Sequence, residues 1–234
     1  MAVKKYSLKK QGNEYCSKHT KVKEMACVDS DTVLIDESLM EMIDKLYAKL
    51  RCSKYLISSG YRTSAHDKAV GGNGKGQHTK GTAVDACFYD KDGKIIPAQV
   101  VCCVAQDLGF KGIANISKNY RYVHLDMRTS GKYYGDEIKS YNTVTSDFRK
   151  YFGVKETEIA KYTGAKVEKP VKYFKKYTGE SVSIITALNE IGATSTYAYR
   201  GKIASANGIK GYSGTASQNT KLLDLLKKGK LIKP

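Results

Sequence analysis

Between residues 36 and 128 the hydrophobic pattern switches repeatedly between the helical and the strand period, and that switching limits the architectures open to the chain. In DESLMEMIDKLYAKL (36–50), Leu39, Ile43, Leu46, Tyr47 and Leu50 recur at helical spacing behind Asp36, a side chain suited to capping the first turn. YLISSGYR (55–62) reads as a short buried strand ending in a Ser-Gly turn, and GGNGKGQ (71–77) is too glycine-rich for regular structure. TAVDACFYD (82–90) returns to strand character. PAQVVCCVAQDLGF (97–110) opens with Pro, places Val101, Val104, Ala105 and Leu108 on one face, and stops at Gly109. YRYVHLDMR (120–128) is a further strand. This order predicts an α+β fold, a small antiparallel sheet with helices packed against it, over residues 1–153. The polar segment up to about Ser30 takes no assignment.

Residues 154–171 are charged, contain Pro170 and lack a sustained apolar face, which predicts a linker. Residues 172–234 then form a second, small and mostly helical module. VKYFKKYTG reads as a strand and turn, SVSIITALNEIG and TYAYRGKIASANG as two short helices, and TASQNTKLLDLLKKGKLI as a third.

The net charge of +17 favours polyanionic partners: nucleic acid, anionic lipid headgroups or an acidic wall polymer. No helix-turn-helix, zinc-finger or RNP pattern is evident, so specific nucleic-acid recognition is not expected. No apolar run reaches the length of about 18 residues that a membrane span needs. The basic N-terminus has no apolar stretch behind it, so synthesis in the cytoplasm without a secretory signal is expected. Cys16, Cys27, Cys52, Cys87, Cys102 and Cys103 contain no C-x-x-C pair and no regular framework. Free thiols are the expectation, and their spacing gives no support to a cysteine-based zinc site.

Three segments carry side chains that can meet at one metal: His78, Asp85 and His124. Two imidazoles and a carboxylate suit zinc with one coordination position open to water. In YVHLD, strand alternation puts Tyr122, His124 and Asp126 on one face and turns Val123 and Leu125 to the core. Taken singly, each histidine has a plainer explanation as a loop or core residue. His19 and His66 read as solvated histidines without evident partners.

SSGYR (58–62), GQHTKGTAVD (76–85) and YVHLDMR (122–128) resemble, in order, the three signatures of the zinc D-Ala-D-Ala carboxypeptidase and L-alanyl-D-glutamate endopeptidase family, which includes many phage endolysins. The likeness covers roughly residues 35–130. The family pattern S-x-H-x-x-G-x-A-x-D is met by His78, Gly81, Ala83 and Asp85, with Gly76 where serine is usual. The resemblance implies that His78, Asp85 and His124 ligate Zn2+ and that Arg62 pairs with a substrate carboxylate or the oxyanion. Relatives often place a carboxylate three residues before the last histidine as the general base. Here that residue is Arg121, which cannot accept a proton. Asp126 is therefore either the substitute base or a partner that orients His124, and Tyr122 either binds substrate or packs.

The resulting expectation is a monomeric, endolysin-like zinc peptidase that cuts the peptidoglycan stem peptide. Residues 172–234 resemble the wall-binding modules of such enzymes, and the tail resembles LysM repeats. Anionic wall polymers are the expected partner, and release through a holin-type membrane lesion the expected route to the wall. Two alternatives stand beside it: a D,D-carboxypeptidase removing terminal D-Ala, and a non-enzymatic polyanion-binding protein.

Overall fold

The computed structural model describes residues 2–139, 145–166 and 171–234. It divides into two compact units, Met1–Val167 and Glu168–Pro234.

The first unit begins with β1 (Val3–Ser7) and the short helix α1 (Leu8–Gln11). β1 pairs antiparallel with β2 (Thr32–Asp36), whose Val33 and Ile35 enter the core. This two-stranded sheet lies in and just after the stretch that takes no assignment from sequence. Its strands are separated by 24 residues and one of them is lysine-rich, so neither carries a local signal. Asp36 caps α2 (Glu37–Lys49) by accepting the Leu39 N–H, and Leu39, Met40, Ile43 and Leu46 are buried. After α2 come β3 (Lys54–Ser59), α3 (Ser64–Ala69), β4 (Ala83–Tyr89), α4 (Ala98–Leu108), β5 (Gly112–Asn115), β6 (Val123–Asp126) and β7 (Tyr133–Asp136).

The main sheet has the order β3-β4-β6-β5-β7. Its pairs are antiparallel except β5 with β7, which run parallel. One face carries Val84, Ala86, Phe88, Ile113, Val123 and Leu125, which pack in the same core as α2 and α4. The opposite face is polar. Because strand side chains alternate, everything at register with Asp85 lies on that polar face.

Residues 154–163, read from sequence as the start of a linker, carry a helix instead: α5 (Phe148–Phe152) is followed by α6 (Glu156–Thr163). Val154 and Ile159 reach the core of the first unit, two anchors too few to make a recognisable apolar stripe. Part of that stretch, 167–170 with Pro170, lies outside the described residues.

In the second unit, α7 (Ile184–Glu190), α8 (Tyr197–Ala206) and α9 (Ala216–Lys227) enclose Phe174, Tyr177, Leu188, Ile203, Leu222 and Leu226. Ser183, Thr196 and Thr215 cap these helices with their side chains. An antiparallel bridge joins Tyr173 to Ile232.

Candidate metal centre

The polar face of the main sheet is organised in rows set by strand register. The central row runs Asp85 (β4), His124 (β6), Ala114 (β5), Gly135 (β7). Adjacent to it lies the row Ala83, Asp126, Gly112, Tyr133. The sheet thus delivers Asp85 and His124 side by side, while His78 arrives from a 3-10 turn, His78–Lys80. That turn ends on Gly81 at φ 72°, and a Cβ there would lie 2.4 Å from the Leu34 carbonyl oxygen. A side chain at Gly81 would push the turn, and His78 with it, off the sheet.

Three donor atoms converge. His124 Nδ1 lies 3.0 Å from Asp85 Oδ1 and 3.2 Å from His78 Nε2, and His78 Nε2 lies 3.3 Å from Asp85 Oδ1. A tetrahedral zinc site with bonds near 2.0–2.1 Å has ligand-to-ligand edges of about 3.3 Å. The triangle fits such an ion without rearrangement. The outer nitrogens are engaged elsewhere, as ligating histidines require. His78 Nδ1 donates to the Gly60 carbonyl at 2.7 Å, and His124 Nε2 donates to Asp126 Oδ2 at 3.0 Å. The inner nitrogens are left to face the triangle.

Charges around the triangle are strongly coupled. Burial pushes the Asp85 carboxyl up, but hydrogen bonds from His124 and His78 outweigh it and hold the group well below the usual carboxylate range. Burial pushes the His124 imidazole down, and Asp126 and Asp85 overcome this to raise it to about 10. In the metal-free chain the two carboxylates therefore hold a proton on His124.

Arg62 sits at the second oxygen of Asp85. Its guanidinium donates to Asp85 Oδ2 at 3.0 Å, to Asp67 Oδ1 at 3.4 Å and to Ser59 Oγ at 2.8 Å. Asp67 also accepts from the Gly74 N–H, so one buried carboxylate ties the glycine-rich loop to the arginine. Arg62 thus stands one residue away from the metal position, behind Asp85.

Asp126 is fully buried and sits on the far side of the His124 ring from the triangle. Arg128 Nε lies 3.0 and 3.1 Å from its two oxygens, and the Arg128 backbone N–H donates to Oδ1. Gly112 makes room for it, since a Cβ there would meet Asp126 Oδ2 at 2.0 Å. Tyr122 is half-buried at the other end of the row, where the thiol of Cys87 raises its hydroxyl above the ordinary range.

One carboxylate on this face gives no signal in the sequence. Glu137 directly follows β7, and its N–H donates to the Asn115 carbonyl, which continues the β5 register by one step. Alternation turns Glu137 to the face that carries Gly135 and Tyr133, while Asp136 turns to the other and is held by Asn115 and Tyr151. Between Glu137 and His124 the sheet surface consists of Ala114 and Gly135, which leaves the space above them to larger neighbours. The Tyr133 hydroxyl donates to Glu137 Oε1 at 3.3 Å. Burial raises the Glu137 carboxyl, and the fields of His124, Asp85 and His78 all reach it.

Residues 12–126 match the model of the peptidase M15 family. The first unit belongs to that family. The match takes in His78, Asp85, His124 and Asp126 and ends before Glu137. A 50-residue stretch is 48% identical to the L-alanyl-D-glutamate peptidase of Listeria phage A118. The alignment spans 21% of this chain and 18% of the phage protein, so less than a fifth of that relative is represented.

Proposed function

We propose that the chain is a zinc-dependent, endolysin-like peptidase that cuts the peptidoglycan stem peptide between L-alanine and D-glutamate. The observation that carries the proposal is the His78–Asp85–His124 triangle, with zinc-like edges and both outer imidazole nitrogens already engaged. Membership of the first unit in the M15 family and the partial match to the phage peptidase support the bond assignment.

In this reading His78, Asp85 and His124 hold the ion. The chemistry zinc supplies in such a set is polarisation of a carbonyl and activation of water. Arg62 holds Asp85 in place through Oδ2. Three of the five guanidinium N–H groups meet protein acceptors, which leaves donors for a substrate carboxylate. Asp126 orients His124 through Nε2 and is not the base, because it is turned away from the triangle and engaged by Arg128. We assign the base to Glu137. It is the carboxylate beyond Ala114 and Gly135 on the open side, and its raised pKa suits it to take a proton from attacking water near neutral pH. Tyr122 offers a hydrogen bond to substrate from the opposite end of the face.

The second unit serves as a wall anchor in this proposal. Residues 168–234 hold 12 Lys/Arg against 4 Asp/Glu and contain no His or Cys, a surface suited to anionic wall polymers. Tethering there raises the local concentration of the catalytic unit at an insoluble substrate. No described helix is long and apolar enough to cross a membrane. Delivery through a holin-type lesion and action as a monomer complete the proposal.

Mass spectrometry of fragments released from purified walls tests it. The expected products are peptides with a new amino-terminal D-glutamate and glycan-linked L-alanine with a free carboxyl, both lost on chelation. Release of free D-alanine instead would mark a D,D-carboxypeptidase. Undiminished release in metal-free protein would exclude the zinc mechanism.

A further inference from the structure

A second set of ligand-bearing side chains lies outside the M15 triangle. Cys27 follows the 3-10 turn Val22–Met25, Asp29 is two residues further on, and His66 is in α3. The cysteine spacing gives no hint of a site here, because the other two members are a carboxylate and a histidine nearly 40 residues away. In the fold a thiol sulfur, a carboxylate oxygen and an imidazole nitrogen from these residues lie within 4.8 Å of one another. Cys27 is buried, His66 half-buried and Asp29 exposed.

Thr63 organises all three. Its N–H donates to Cys27 Sγ at 3.4 Å, and its hydroxyl donates to Asp29 Oδ2 at 2.6 Å. The same hydroxyl oxygen accepts the His66 N–H at 3.0 Å. Hydrogen bonds to a sulfur and a carboxylate from one backing residue are the kind of support that fixes metal ligands in place. The Cys27 thiol and the Thr63 hydroxyl also hold the Asp29 carboxyl below its ordinary range. In the metal-free chain, then, the thiol donates to Asp29.

We propose that Cys27, Asp29 and His66 form a second transition-metal site, for zinc or a zinc-like ion, distinct from the M15 triangle. One sulfur, one nitrogen and one oxygen donor suit zinc and exclude the hard ions magnesium and calcium, which take oxygen ligands. Zinc with these donors has ligand separations of about 3.3–3.7 Å. The present limit of 4.8 Å closes to that range by a side-chain adjustment, and exposed Asp29 has the room to make it. Binding expels the thiol proton and leaves one position open for water. The metal would staple the segment around Cys27 to Thr63 and α3, next in sequence to Arg62, which supports Asp85. The site is therefore structural, and the proposal does not depend on which bond the enzyme cuts.

Cobalt substitution of the full chain separates the two sites, because the triangle contains no sulfur. The expected result is two metal equivalents per chain by elemental analysis, with a near-ultraviolet sulfur-to-cobalt charge-transfer band. Cys27→Ala should lose the band and one equivalent. His78→Ala should lose one equivalent and keep the band. Since Cys27 is buried and its replacement can disturb folding, His66→Ala, at a half-buried position, provides an independent variant and should also fall to one equivalent. One equivalent and no band in the unmutated chain at saturating cobalt would overturn the proposal. So would a band that survives Cys27→Ala, which would place the thiolate elsewhere.

Discussion

The two units use buried polar groups in opposite ways. In the first, Asp67, His78, Asp85, Asn115, Asp126 and Asp136 are all buried, and three donor atoms are aimed at a common point. In the second, the buried polar side chain is Arg200, and it is fully employed in structure. Its Nε donates to the Tyr212 hydroxyl, that hydroxyl donates to Asn219, and its NH1 meets the Ser195 carbonyl. A buried polar group that ends on another satisfied group holds a fold together. One whose partners converge and leave an open side has chemistry available to it. That difference is sharper than composition, since both units are basic and rich in tyrosine.

The largest test of the contrast is His78→Ala. It should abolish metal retention at the triangle and release of wall fragments, while the helix-capped second unit keeps its sedimentation with walls at low salt. If the variant still lyses walls with the triangle empty, the first unit's buried polar set is structural after all. Glu137→Gln comes next. Turnover should fall by roughly two to four orders of magnitude with metal content unchanged, the scale of lost general-base help. Because burial raises the Glu137 carboxyl, activity in the unmutated chain should rise with pH through a value above the ordinary carboxylate range, and this acidic limb should disappear in the variant. An unaltered pH profile would remove Glu137 from the mechanism.

Leu226→Ala probes the other side of the comparison. Leu226 is completely buried among the helices of the second unit, and the change should cost that unit about 2–5 kcal/mol. Denaturant melting should register it as a loss confined to residues 168–234, with hydrolysis of soluble wall fragments preserved. A matching fall in soluble-substrate turnover would contradict the division of labour. The smallest effect belongs to Asp126→Asn. As the partner of His124 Nε2, Asp126 should contribute about ten- to a hundredfold in metal affinity, with most activity recovered on adding zinc. Loss of turnover at full metal occupancy would instead restore Asp126 as a proton acceptor.

Sequence alone determined the elements whose signal is local. The period of α2 with its Asp36 cap, the Pro-to-Gly frame around α4 and the alternation in YVHLD each lie within about a dozen residues, and all three appear in the fold. The three motifs likewise named His78, Asp85 and His124 together, because the spacing of a metal signature is written along the chain. What only the tertiary structure decided depends on residues distant in sequence. β1 and β2 exist because they pair with each other across 24 residues, and α6 is held by two side chains in a core built elsewhere. The direction of Asp126 could not be read from strand alternation, which gives a shared face but not the side of the imidazole ring to which the carboxylate binds. Glu137 gained its place from the parallel pairing of β7 with β5, and Cys27 met His66 only through Thr63. A lone glutamate and a lone cysteine carry no pattern, and only packing decides what faces them.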